Sequence, residues 1–475
     1  MSALKSCMVC FLMGGLRLIT LHFLHTNDIH SHLDSWGCLV RYLNQERERL
    51  NEAGEPFLTL DLGDHMDRVN PMTEGLLGTG NVKLLNDAHY DYVTIGNNEG
   101  ITFTKEQLSI AYLMRRFKIV LANLYDQQTG KRPQWCMPYV IQEMQGVKVG
   151  LIGLTAAFPH FYSQLGWTIK DPYSELTNLV TQIRGKVDVL VLLSHVGLPF
   201  DEKVAREIEG IDVIIGAHTH HVLEQGKIVS GTLIAQTGKF LQYVGHIVVD
   251  YDELKRKVVY KGADLVTLRE PSDQSANNEV RELTQKGIAN MQKVIAVLDH
   301  DYPVDWFAKS ELTDLMADAL RKWCDADIGM VNAGVILDHL LKGPVTRFMI
   351  HRICPHPINP CRVEVTGEEI VEMIRLGRKK DFQTFELKGF GFRGKMLGRL
   401  VFSGLSYEII SDSLVNVRIH GQPIDNLRRY SVGTIDMFTL GSFLPPIVKA
   451  EQHFYLPETL RDLLAWRLGQ LIKGK

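Results

Sequence analysis

His25-Thr26-Asn27-Asp28-Ile29-His30-Ser31 follows an apolar run at 18–24, and the change of character between them decides how the chain is read. The run is short and rich in Leu, Ile and Phe, which predicts a buried strand. The heptad then places an Asp and a His two residues apart at the carboxyl end of that strand. If the chain turns there, a carboxylate oxygen and an imidazole nitrogen face one pocket, a donor pair suited to a divalent transition metal. Asp-x-His alone is a weak signal. It gains weight because later strand ends carry the same residue types.

Short runs rich in Val, Ile and Leu recur at 57–60, 92–95, 119–122, 148–154, 187–193 and 213–215, with further strands expected at 232–235 and 243–250. Amphipathic stretches such as 37–53 and 202–207 fall between them. Alternating strands and helices predict an α/β domain, in which ligands gather at the carboxyl ends of the strands. Those ends read Asp61-Leu62-Gly63-Asp64-His65, Gly96-Asn97-Asn98-Glu99, Ser194-His195 and Gly216-Ala217-His218-Thr219-His220-His221. The candidate ligands are therefore Asp28, His30, Asp64, Asn97, His195, His218 and His220. One loop Asp ordinarily caps a helix, and one His is ordinarily a surface or core residue. Recurrence at successive strand ends points instead to a metal site.

The 475 residues exceed one hydrophobic core, so two or three domains are expected. A net charge of −3, with no long single-sign run, argues against a nucleic-acid partner. The 7 cysteines are odd in number and scattered, which favours reduced thiols and a cytoplasmic location. Cys7-x-x-Cys10 has no partner pair. Lys5 and the apolar stretch 7–16 outline a short signal-like segment, but no Ala-x-Ala site separates it from the first strand. No later apolar run reaches about 18 residues, so neither a membrane span nor a membrane partner is expected.

The ordered motifs resemble the calcineurin-like metallophosphoesterase superfamily, and within it the 5′-nucleotidase / UDP-sugar hydrolase / 2′,3′-cyclic phosphodiesterase family. That family's series HTNDxH, GD, GNHE, SH and GHTH is matched by 25–30, 63–64, 96–99, 194–195 and 216–220. The resemblance implies that Asp28, His30 and His220 hold one divalent metal, Asn97, His195 and His218 hold a second, and Asp64 bridges both. Two ions about 3.5–4 Å apart lower the pKa of a water and neutralise charge building on phosphorus. Mixed N/O ligation leaves Mn, Zn, Fe and Co open.

The main departure from the family pattern is Asn98, which stands where the family usually has a His that assists the leaving oxygen. The chain resembles a cytosolic bacterial branch that carries Gly-Asn-Asn-Glu. Asn donates a hydrogen bond but transfers no proton near neutral pH, and general acid catalysis contributes typically about 10²–10⁴-fold. Three consequences are open: slow turnover, a substrate with a good leaving group, or another acid. His65 is the candidate acid nearest in sequence.

After a polar stretch at 269–278 comes a helical segment to about 294, which the resemblance makes a linker. Domain bounds are expected at 18–270, 271–294 and 295–475, after a tail at 1–17. In the last part a helix is expected at 310–323, and 363–370 reads as strand, turn and helix. Met330-Val331-Asn332-Ala333-Gly334 resembles the family's Asn-x-Gly turn, with Leu337 where the family has a substrate-binding Arg. Phe402-Ser403-Gly404-Leu405 resembles its Ser-Gly turn. Phe443 is the candidate base-stacking aromatic, with Phe390 or Phe392 for the other face. Arg347, Arg352 and Arg393 are candidate phosphate binders, and Asn332 is a candidate substrate residue. His351-Arg352-Ile353-Cys354-Pro355-His356-Pro357 reads as a rigid loop placed to line a cleft.

The expected fold is a four-layer α-β-β-α metallophosphoesterase domain followed by an α+β 5′-nucleotidase-type C-terminal domain. The expected activity is hydrolysis of a phosphate ester or pyrophosphate bond in a nucleotide-like small molecule, using two divalent metal ions. The alternatives are a metal-dependent nucleotide sensor with attenuated catalysis and a protein phosphatase.

Overall fold

The computed structural model describes residues 18–389 and 391–473. Cys7, Cys10 and Phe390 lie outside the described residues.

Side-chain alternation builds the N-terminal part in layers. Along the strand Leu18–Thr26, Leu21 and Phe23 enter one buried cluster while Leu24 enters another. Along Val189–His195, Val191 and Leu193 join Leu21 and Phe23, while Leu190 and Leu192 face the other way. Successive strand residues point to opposite faces of a sheet. These memberships therefore define two sheets packed face to face, each with an outer apolar surface. Helix Trp36–Ala53 covers the first outer surface through Leu39 and Leu43. Helices Pro172–Ile183 and Leu198–Glu207 cover the second through Leu176, Ile183 and Val204. This is the four-layer arrangement expected.

Register then aligns the strand ends. In the seven-stranded sheet, Leu18–Thr26 pairs in parallel with Phe57–Asp61, and that strand with Tyr92–Val93. Thr26 lies opposite Asp61, and Asp61 opposite Val93, so the loops carrying Asp28, Asp64 and Asn97 leave one edge together. In the six-stranded sheet, Val189–His195 pairs in parallel with Val213–Gly216, with Ser194 opposite Gly216. That brings His195 and the His218–His220 turn to a shared edge.

The linking helix is Gln274–Asn290, which starts earlier and ends sooner than expected. Asp273 accepts a hydrogen bond from the Ala276 N–H at 3.0 Å and sets the start. Residues Val294–Leu298 are a strand paired with Gly343–Thr346. The C-terminal part surrounds a five-stranded sheet ordered Leu400–Ser403, Ile328–Asn332, Arg429–Ile435, Pro360–Thr366, Gln452–Phe454. Helices Glu311–Trp323 and Gly367–Arg378 supply buried residues such as Leu312, Met316, Ile370 and Met373 to its core. The two parts meet through aromatic contact: the rings of Phe161 and Phe454 have centroids 4.8 Å apart.

Candidate metal centre

The strand-end turns are sharp, and their residues carry the cost. Asp28, His30, Asp64, His218 and His220 have φ of 50°, 48°, 51°, 71° and 56°, in the left-handed region that non-glycine residues avoid. Such strain clusters at functional sites, where surrounding structure holds it in place. Gly96 is required for close approach: a Cβ there would strike the Asp64 carboxylate and the His195 ring.

Buried hydrogen bonds fix each turn. Glu99 accepts the N–H groups of Asp64 at 2.9 Å, Met66 at 2.8 Å and Gly96 at 2.8 Å, so one carboxylate ties the Asp64 loop to the Asn97 loop. Asn27 donates to Asp28 Oδ2 at 2.7 Å and to the Gly238 carbonyl at 2.7 Å. The N–H of His218 donates to Asp28 Oδ2 at 3.0 Å, joining the first turn to the last. The sequence carried Glu99 inside a recognised motif and Asn27 inside the opening heptad, but neither position revealed this fastening role.

The donor atoms converge. Asp28 Oδ1 lies 3.3 Å from His220 Nε2, 3.8 Å from His30 Nε2 and 3.9 Å from His195 Nε2. Asp64 Oδ2 lies 3.5 Å from His195 Nε2 and 3.7 Å from His30 Nε2. Asp28, His30 and His220 form one group able to hold a cation, and Asp28, Asp64 and His195 form another. The His218 ring stands 5.4 Å from that of His195.

The electrostatics call for positive charge. Burial opposes protonation of His195, but Asp64, Asp28 and the Leu62 carbonyl outweigh it and push the imidazole up to about 10. Burial also acts against ionisation of Asp64, yet His195 and His30 hold it well below the usual carboxylate range. Burial, with His195 beside it, pushes His218 down to about 4. Buried carboxylates in this number need a cationic partner. Two atoms give a direct test of fit: His195 Nε2 and Asn97 Oδ1 are buried with no hydrogen-bond partner. Both are metal-donor atoms, and a buried polar atom without a partner is otherwise costly.

The remaining candidates are placed less centrally. The Asn98 N–H donates to Asp64 Oδ1 at 2.8 Å, and its carboxamide lies 2.8 Å from His30 Nδ1. His65, the candidate acid, has a ring only 2% exposed, with Nδ1 3.4 Å from Asp61 and 3.5 Å from Glu99, so that nitrogen faces two buried carboxylates. Asn332 is fully buried and donates to the Leu397 carbonyl at 2.8 Å, bracing its turn. Arg352 is exposed and pairs with Asp338 at 3.6 Å, and Arg347 pairs with Asp462 at 3.1 Å. Phe443 is half-buried, its ring 5.6 Å from that of Phe385. Phe392 is buried against His356. The stretch 351–357 is not all loop, because His351, Arg352 and Ile353 finish the helix Arg347–Ile353, which Thr346 caps. Asp67, missed in the sequence, lies 3.4 Å from His30 Nδ1.

Comparison with known proteins agrees with this geometry. Residues 21–222 match the calcineurin-like phosphoesterase model, and 288–442 match the 5′-nucleotidase C-terminal domain model. An uncharacterised metallophosphoesterase of Bacillus subtilis, YunD, is 40% identical over 459 residues, covering 95% of this chain and 99% of that protein. A 5′-nucleotidase of Vibrio parahaemolyticus is 24% identical, covering 86% of this chain and 82% of that protein. The structure of NAD nucleotidase from Haemophilus influenzae shares the fold, with a TM-score of 0.66 at 16% identity over 96% of each chain. Matched along almost all of its length by a relative of such identity, the chain belongs to the calcineurin-like phosphoesterases that carry a 5′-nucleotidase C-terminal domain, and is a phosphoester hydrolase.

Proposed function

We propose that this chain hydrolyses a phosphate ester or pyrophosphate bond of a nucleotide or nucleotide-like small molecule at a centre of two divalent metal ions. The observation that carries this reading is His195 Nε2, buried without a partner 3.5 Å from Asp64 and 3.9 Å from Asp28, with Asn97 Oδ1 likewise buried and unpartnered. Asp28, His30 and His220 would hold one ion, and Asn97, His195 and His218 the other, with Asp64 shared. Bound there, Mn, Zn, Fe or Co supplies Lewis acidity toward phosphate oxygen and acidifies water. The protein's own groups do the rest. Glu99 keeps the Asp64 and Asn97 loops in register. Asn98, half-buried at the cleft, offers an amide donor to phosphate oxygen, and Phe443 is the aromatic offered to a base. The nucleotidase names of the Vibrio and Haemophilus proteins support the substrate class. Cys38, Cys136, Cys324, Cys354 and Cys361 are free thiols, which supports a cytoplasmic setting. No described helix is long and apolar enough to cross a membrane.

A second reading rests on Asn98 and Leu337, each replacing a group that would act on substrate: a nucleotide sensor with attenuated catalysis. One experiment separates the readings. The purified chain is given Mn²⁺ and assayed on nucleotides, nucleotide sugars, p-nitrophenyl diesters and a phosphopeptide. Turnover of a nucleotide that is lost with chelator and restored by Mn²⁺ is expected. Nanomolar nucleotide binding without turnover above an Asp64→Ala control would favour the sensor. Activity on the phosphopeptide alone would favour a protein phosphatase.

A further inference from the structure

Three side chains of the C-terminal part grip the two residues at the end of the Asp64 loop. Arg393 Nη2 donates to Asp67 Oδ2 at 2.8 Å. His351 Nε2 and Arg461 Nη1 both donate to the Arg68 carbonyl, at 2.9 and 3.0 Å. Asp67 is 3% exposed, and the oxygen that receives Arg393 also stands 3.4 Å from His30 Nδ1. Arg393 is itself held from behind. Its N–H donates to His356 Nδ1 at 2.9 Å, while His356 Nε2 donates to the Val335 carbonyl at 2.8 Å. The His356 ring stacks on Phe392 with centroids 5.2 Å apart and planes 5° from parallel. The turn Cys354-Pro355-His356-Pro357, conspicuous in the sequence and without a role in the metal centre, is thus the mount for Arg393.

We propose that Arg393 is a positioning residue for the metal centre, acting through Asp67 on His30, so that the C-terminal domain completes the outer shell of one metal. This rests on the metal reading above. An imidazole that offers Nε2 to a cation must carry its proton on Nδ1, and a carboxylate at Nδ1 fixes that tautomer and the ring's orientation. Asp67 occupies that place. The Asn98 carboxamide then turns its oxygen toward the same proton, an orientation the two ends of an amide both permit. A buried carboxylate needs a counter-charge to stay turned inward. The Arg393 guanidinium supplies that charge on the oxygen His30 faces. A lysine, with a compact ammonium and no planar fork, reproduces the charge but not the geometry.

The test uses the full chain, stripped of metal and titrated with Mn²⁺ by calorimetry without substrate. Loss of an outer-shell partner lowers metal affinity by about 10–100-fold, and Asp67→Ala is expected to weaken one binding step by that amount. Arg393→Ala weakens the same step, and Arg393→Lys restores part of the loss. The double variant is no weaker than Asp67→Ala alone, because Arg393 acts through Asp67. Wild-type affinity in Arg393→Ala, or additive losses in the double variant, would overturn the proposal. If Arg393→Ala does not fold, Arg393→Lys alone and combined with Asp67→Ala gives the same comparison. If the unaltered chain binds no Mn²⁺, the metal reading fails and this proposal with it; if it binds and the variants match it, only the proposal fails.

Discussion

His195 gives its Nδ1 proton to the Leu62 carbonyl at 2.6 Å, and that bond decides which nitrogen faces Asp64. Nε2 is buried without a hydrogen-bond partner, 3.5 Å from Asp64 Oδ2, and must give up its proton to serve a cation. The orientation of the ring is therefore set, before any cation arrives, by backbone that follows the strand Phe57–Asp61. A ligand preorganised in this way costs little to engage. Replacing His195 by Ala should lower metal content from about two ions per chain to about one. Turnover should fall by more than the about 10–100-fold that loss of an outer-shell partner brings. Elemental analysis of the purified variant, beside its kcat, checks both. Unchanged metal content would remove His195 from the ligand set.

Asn98 is anchored by its backbone to Asp64 and by its carboxamide to His30, which places it beside two candidate metal ligands without an acidic proton. Asn98→His should restore proton transfer to the leaving oxygen. Poor leaving groups gain most from an acid, since good ones depart without one. The variant should raise kcat/KM for a nucleoside monophosphate by about 10²-fold, the lower end of general acid catalysis, and change p-nitrophenyl esters little. Equal effects on both substrates would show that leaving-group protonation does not limit turnover.

The candidate ligands were legible because a strand end is a local event. Asp28 and His30 follow an apolar run directly, parallel register in one sheet brings the Asp64 and Asn97 loops beside them, and register in the other sheet brings His195 beside the His218–His220 turn. The four layers followed from the family resemblance, since the strand Leu18–Thr26 is buried continuously from Leu21 onward and its burial shows no alternation. Asp67 and Arg393 were not legible, since their contact joins residues 326 positions apart and has no local pattern. The surroundings of His65 were not legible either, because adjacency in sequence to Asp64 says nothing of direction, and its Nδ1 lies beside Asp61 and Glu99. The linker helix was placed late because Asp273, its cap, stands in a polar stretch that reads as loop.

Glu74 pairs with Arg68 at 2.7 Å and approaches Arg461 at 3.6 Å, with all three side chains at most 10% exposed. Arg461 belongs to the C-terminal helix Leu460–Lys473, so the cluster crosses between the two parts of the chain. Removing one member of a buried pair strands the remaining charge, at a cost of about 3–5 kcal/mol. Glu74→Ala should lose stability of that order in urea unfolding. It should also split a single transition into two, as the parts lose a shared fastening. A loss below about 1 kcal/mol, the scale of an exposed pair, would show that water reaches the cluster.

Asp201 is fully buried, accepting a hydrogen bond from Ser194 Oγ, the residue before His195, with Oδ2 unpartnered. Burial pushes its carboxyl up to about 8, more than Ser194 and His195 pull it down. In the unfolded chain an Asp titrates near about 3.9. Between those values the folded state keeps a proton that the unfolded state has released, so stability falls as pH rises, by up to about 1.4 kcal/mol per pH unit. Below about pH 4 both states are protonated, and above about pH 8 both are ionised, so the slope vanishes at each end. Asp201→Asn keeps the shape and cannot titrate. In chelator-treated protein, its melting temperature should match wild type near about pH 4.5 and exceed it increasingly toward about pH 8. A difference that stays constant across that range would mean that Asp201 is already ionised in the fold, its charge balanced by His195.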